Sequence, residues 1–200
     1  MLAEKFIDST LDRLTALSSQ LQAVKSTGEM IAQAVMNGKK VYIADRFSII
    51  DMETVERSSN LALFRSYKAD MNDLTDGDVV ILASLYTDDT ADMALISTVR
   101  SKNAVVVTIS PEGPFSEAAD KALTYPDGDT NGIVRIPGMD DPFCPVSGIM
   151  NATMIWMLAA EITETLIRNN TVPSVYWGEH IVGSEGKDSE TRKRYASLGY

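Results

Sequence analysis

"DVVILASLYTDDTADMALISTVRSKNAVVVTIS", Asp78 to Ser110, decides the fold. Val79 to Ala83 are all apolar, and Ala104 to Val107 repeat the pattern. Runs without polar alternation suit strands buried on both faces, as in a parallel sheet. Between them the turn Ser84-Leu85-Tyr86-Thr87-Asp88-Asp89 leads into a stretch with helical spacing to about Lys102. Strand, helix and strand make a βαβ unit, and such crossovers are almost always right-handed. In a wound α/β sheet, the turn after a strand is where ligands sit. Ser84 to Asp89 is therefore the first candidate site.

The rest of the chain extends this unit in both directions. Phe6, Leu11, Leu14, Leu21, Val24, Ile31 and Val35 recur at helical steps over 2–37, with a break near Ser18-Ser19 and a C-cap at Asn37-Gly38. "KKVYIAD" (39–45) reads as a strand, 49–60 as a helix and "LALFRSYK" (61–68) as another strand. Pro111 to Pro114 form a turn, 115–122 a short helix, and "NGIVRIPG" (131–138) a fifth strand. Residues 147–169 are apolar nearly all round, which predicts a deeply buried helix. A last short helix is expected over 189–195. Strands alternating with helices predict a three-layer, Rossmann-like (flavodoxin-like) α/β domain with a mostly parallel five-stranded sheet. The expected organisation is one domain over 1–200: a helical arm (1–38), a sheet core (39–146), a buried helix (147–170) and a tail (171–200).

Composition narrows the function. Of 200 residues, 44% are apolar and 23% charged, ordinary proportions for a globular protein able to build its own core. A net charge of −10 argues against a nucleic-acid partner, since association would work against long-range repulsion. Arg192-Lys193-Arg194 reads as a solvated helix face. One cysteine, Cys144, excludes an internal disulfide and fits a reducing, cytoplasmic setting. No basic segment followed by an apolar run opens the chain, and no stretch reaches the roughly 18 apolar residues of a membrane span. Glycine motifs for dinucleotides and P-loop phosphates are missing, as is a G-x-S-x-G elbow. One histidine and one cysteine cannot make a His/Cys metal cluster. No metal and no cofactor are expected.

Three features occur in order: a long helical arm ahead of a strand and the turn "ADRFS" with Ser48; a strand ending in Ser84 with Thr87 after it; and the polar turn "CPVS" opening the long helix at Ser147. With Glu161, Glu164 and the tail "VPSVYWGEHIVGSEGKD", they resemble the sugar isomerase (SIS) domain family. The small stand-alone members similar to phosphoheptose isomerase look closest. The resemblance implies binding of a sugar phosphate or related carbohydrate derivative, with phosphosugar aldose–ketose isomerisation in the active members. It implies substrate contacts from Arg46, Ser48, Ser84, Thr87 and Ser147, and acid–base roles for Glu53, Glu161 and His180, with Glu185 a further candidate. It also implies a homodimer or homotetramer through the arm and the 147–169 helix. Hydroxyls and helix N-terminal amides make a neutral cradle for a dianion, and proton transfer between C1 and C2 needs a tuned carboxylate or imidazole.

Each of these residues has a plainer reading. Ser48, Ser84, Thr87 and Ser147 suit turn and N-cap positions. Glu53 suits a solvated helix charge or an interface ion pair, Glu161 a buried ion pair, and His180 an exposed loop. Two departures from the SIS pattern also matter. The family's Gly-x-Gly-x-Ser turn is here Ala44-Asp45-Arg46-Phe47-Ser48, and its Ser-x-Ser-Gly turn is Ser84-Leu85-Tyr86-Thr87. Glycine lets a backbone approach an anion closely, and both turns lack it. Asp88, Asp89 and Asp92 would also oppose a phosphate there, by on the order of 1–4 kcal/mol per close charge pair. The alternative function is therefore a non-catalytic carbohydrate-derivative-binding, regulatory or assembly protein that has lost the phosphate loops.

Overall fold

The computed structural model describes residues 1–200 except 56, 69–73, 127–131, 179–181, 185 and 198–200, and the side chains of 195–197 are likewise outside the description. Five parallel strands form one sheet: β1 (Val41–Asp45), β2 (Phe64–Ser66), β3 (Val79–Ala83), β4 (Val105–Pro111) and β5 (Lys121–Tyr125), in the order β2-β1-β3-β4-β5. The N-terminal arm is α1 (Leu2–Ala16), a 3-10 turn (Leu17–Gln20) that makes the expected break, and α2 (Leu21–Met36). Then come α3 (Ile49–Thr54), α4 (Thr90–Arg100), α5 (Pro114–Glu117), α6 (Ser147–Arg168) and α7 (Lys187–Ser197).

The period of two along each strand sorts the core onto two faces. Ile43, Ile81, Ala83 and Ile109 point toward α2, α3 and α6, while Tyr42, Ala44, Leu82 and Val106 point toward α4 and α5. The chain thus leaves β1 on one face of the sheet and β3 on the other. Because β1 and β3 are neighbours, with Asp45 opposite Ala83, their C-terminal ends form the topological switch point.

Four expectations need correction. Among the described residues, 132–138 add no strand to the sheet, and Val134 makes only an isolated antiparallel bridge to Phe143. The fifth strand is instead Lys121–Tyr125, within and beyond the segment expected to be helical. Leu123 and Tyr125 bury on the inward side of this edge strand, and Asp120 anchors its start by accepting the Val106 N–H at 2.8 Å. The helix expected over 49–60 stops at Thr54, because Val55 turns extended and the Asn60 amide takes the Glu53 carbonyl at 3.0 Å. Lastly, α6 is not enclosed all round. Met150, Met154, Leu158, Ile162 and Leu166 are buried, but Ile149 and Ile167 on its outer side are 39% and 54% exposed.

Candidate functional site

Three turns meet at the switch point. The first, 46–48, follows β1 and ends at Ser48, whose backbone is left-handed (φ 57°). A serine there carries strain that glycine would not, of the order of 1 kcal/mol. Asp45 holds the turn: its carboxylate accepts the Phe47 N–H at 3.0 Å and the Ile50 N–H at 2.6 Å. The second turn follows β3. Ser84 is buried, its Oγ accepts the Tyr86 N–H at 3.0 Å, and its hydroxyl donates to Asp92 at 2.5 Å. The third element is the N-terminus of α6, where Ser147 is buried and no side chain caps the helix. One turn on, Asn151 donates to the Ser84 carbonyl at 3.2 Å, which ties α6 to the second turn. Gly148 lies against Ile49, which ties it to the first.

Arg46 spans the crevice. Its Nη2 lies 2.7 Å from Asp89 and its Nε 3.3 Å from Asp92, both at the start of α4. Asp89 also caps that helix, accepting the Ala91 and Asp92 N–H groups. Beside these ion pairs, the Phe47 and Tyr86 rings meet at 5.8 Å and the guanidinium lies over the Phe47 ring. The two turns are therefore clasped by charge and by aromatic contact. A cleft of about 320 Å³ adjoins the clasp, lined among others by Ala44, Asp45, Arg46, Tyr67, Asp92 and Leu95.

Burial pushes the Asp45 carboxyl above its ordinary range, against the backbone N–H groups that pull it down. The hydrogen bond from Arg46 holds Asp89 below that range. The two act oppositely on stability. A raised pKa contributes stability that is complete below the unfolded value and fades as pH rises through the folded one; a lowered pKa contributes stability that fades as pH falls. An Asp45→Asn variant loses one acceptor at every pH but escapes the burial of a charge. Its stability deficit against wild type should therefore shrink between about pH 4 and pH 7. Thermal unfolding across that range is the check, and a constant deficit would contradict the assignment.

The other expected residues distribute unevenly. Thr87 borders the second turn; its carbonyl accepts the Phe115 N–H at 2.7 Å, so it rests on the turn after β4. Glu53 lies at the far end of α3, 3.6 Å from Arg57. Glu161 is half-buried against α2, fourteen residues beyond Ser147 and so about 21 Å along α6. His180 and Glu185 lie outside the described residues. Among the described residues, no three His, Cys, Asp or Glu side chains gather as a metal site requires, and no helix is long and apolar enough to cross a membrane. Two contributors escaped the sequence reading, Asp92 as the partner of Ser84 and Asn151 as the link to α6. The available signal was an asparagine one turn after Ser147, set among Ile149, Met150 and Ala152.

The fold recurs in solved structures. A phosphoheptose isomerase from Francisella tularensis superposes with a TM-score of 0.61, at 10% identity, over 81% of this chain and 96% of that one. The sugar isomerase domain of an RpiR transcription factor from Sphaerobacter thermophilus gives 0.52, at 11% identity, over 98% of both chains. The Vibrio vulnificus NanR protein, solved in complex with ManNAc-6P, gives 0.55, at 9% identity, over 99% of this chain and 70% of that one. At such identities the likeness carries the fold alone, and that fold is the SIS domain. No curated protein sequence matches the chain. In sequence, residues 11–134 match the family described as "Domain of unknown function (DUF2529)", and the chain belongs to that family.

Proposed function

We propose that this chain binds a carbohydrate derivative in the crevice between β1 and β3 and does not isomerise it. The observation that supports the reading is the docking of α6 on both turns at the ends of β1 and β3, Asn151 on the Ser84 carbonyl and Gly148 on Ile49 next to Ser48. Glu53 pairs with Arg57, and Glu161 stands about 21 Å down α6 from Ser147. Proton transfer needs a base within hydrogen-bond reach of the substrate; Glu161 stands far down α6 from Ser147, and Glu53 is already engaged by a cation. Of the bases that the resemblance implies, His180 and Glu185 then carry the phosphosugar isomerase reading.

Assembly belongs to the same reading. Leu2, Ile7, Leu11 and Leu21 on the arm are each about half exposed, and none of α1 is buried. Beside the outer side of α6 runs a groove of about 560 Å³ that includes Leu61, Trp156, Ala160 and Ile167. A second copy of the chain covers such apolar surface in a homodimer or homotetramer.

One set of samples tests both points. Light scattering should give a mass above 21.8 kDa. A panel of phosphorylated, unphosphorylated and amino sugars should contain members that raise the melting temperature, since a ligand above its Kd stabilises the state it binds. Those members should show no aldose–ketose interconversion. Turnover would restore the isomerase reading. A panel without any shift would leave assembly as the function.

A further inference from the structure

We infer that Asp92 sets the ligand class of the crevice: its buried carboxylate takes up the donors a ligand's anionic group would need, so the crevice selects uncharged or amino-bearing carbohydrate derivatives. The inference rests on the proposed binding function for the carbohydrate part, but its anion-excluding part stands on the geometry alone. An anion at a strand-to-helix turn is held by helix N-terminal amides, turn hydroxyls and a cation. Around the turn after β3, two helix N-terminal amides, the Ser84 hydroxyl and the Arg46 guanidinium reaching across from the turn after β1 are already engaged. Asp89 accepts the Ala91 and Asp92 N–H groups. Asp92, its side chain only 6% exposed, accepts the Ser84 hydroxyl. Arg46 bridges the two carboxylates.

The local balance is one positive charge against two negative ones, with Asp45 close by on the cleft wall. A phosphate entering here must displace a carboxylate that is already desolvated and hydrogen-bonded, or sit beside it unpaired. On the α6 side the Asn151 side chain is buried and its Oδ1 is an acceptor without a donor. Sugar hydroxyls and ammonium groups are donors.

Inorganic phosphate is the probe, because it tests the anion position without the sugar. It is titrated against wild type, Asp92→Asn, Asp92→Ser and the double variant Asp92→Asn with Arg46→Ala, followed by calorimetry and melting temperature. Wild type should show no shift at about 10 mM phosphate. Asp92→Asn keeps an acceptor for Ser84 and leaves the guanidinium paired with Asp89 alone, and should bind phosphate at least about tenfold tighter. The double variant should lose that gain. Protection of wild type at that concentration overturns the inference whether or not either variant folds, and so does a folded Asp92 variant with no gain. If no uncharged or amino sugar protects wild type, the carbohydrate reading fails while the phosphate result still decides the role of Asp92.

Discussion

An Asp78→Ala variant should lose about 3 kcal/mol of stability and leave ligand preference unchanged in the fraction that folds. Asp78 opens β3 and is 1% exposed. One carboxylate oxygen accepts the Lys40 N–H at 2.9 Å, and the other accepts the Thr75 N–H at 2.8 Å and the Thr75 hydroxyl at 2.9 Å. Alanine removes the acceptor of two backbone donors: the half-buried Lys40 N–H, at about 1–3 kcal/mol, and the more exposed Thr75 N–H, which costs less because water reaches it. Thr75 Oγ1 can rotate to another acceptor, which keeps the sum near the lower end. The site lies at the N-terminal edge of the sheet, opposite the crevice, so stability and binding should separate. Urea unfolding should show a lower midpoint at unchanged slope. Asp78→Asn retains one acceptor and should fall between the two proteins. A midpoint shift too small for even one stranded donor would refute this account.

The second large effect is expected at Gly28. A Cβ built there comes to 2.7 Å from the Glu161 Cβ and 3.2 Å from backbone atoms of Glu161 and Ile162. The helices α2 and α6 touch almost backbone to backbone, closer than packed helices with larger contact residues. Gly28→Val should therefore cost about 2–3 kcal/mol, because relief requires one helix to move. The better helix propensity of valine over glycine returns only a few tenths of a kcal/mol. For a chain of this size the melting temperature should fall by about 4–12 °C. Gly28→Ala meets the same 2.7 Å contact with a smaller side chain and should cost less. Since α6 carries Ser147 and Asn151, Gly28→Val should also weaken ligand protection, unlike Asp78→Ala. Equal stability of Gly28→Val and wild type would show that α6 shifts freely.

Local pattern made some of this legible. The apolar runs at 79–83 and 104–107 announce strands buried on both faces, and both form central strands. The break near Ser18-Ser19 is likewise a short-range feature, set by neighbours within a turn or two. Where the signal was weak, the reading went astray. "KALTY" buries only Leu123 and Tyr125 on an edge, too short a pattern to outweigh a helix beside it. The apolar outer side of α6 gave the same periodicity signal as its core side, and no spacing says which one the chain itself covers.

From residues alone came the α/β class, the parallel sheet, the hydroxyl-bearing turns and the likeness to SIS domains, because each is written in short-range periodicity or in a motif. The tertiary structure decided which partners those turns engage. Arg46 and Asp92 lie far apart in the chain and meet only because β1 and β3 are neighbours with Asp45 opposite Ala83. Ser84 reads in the sequence as a donor waiting for a ligand. In the fold its proton is already given to Asp92, since a buried hydroxyl beside a carboxylate gains more from that bond than from staying free.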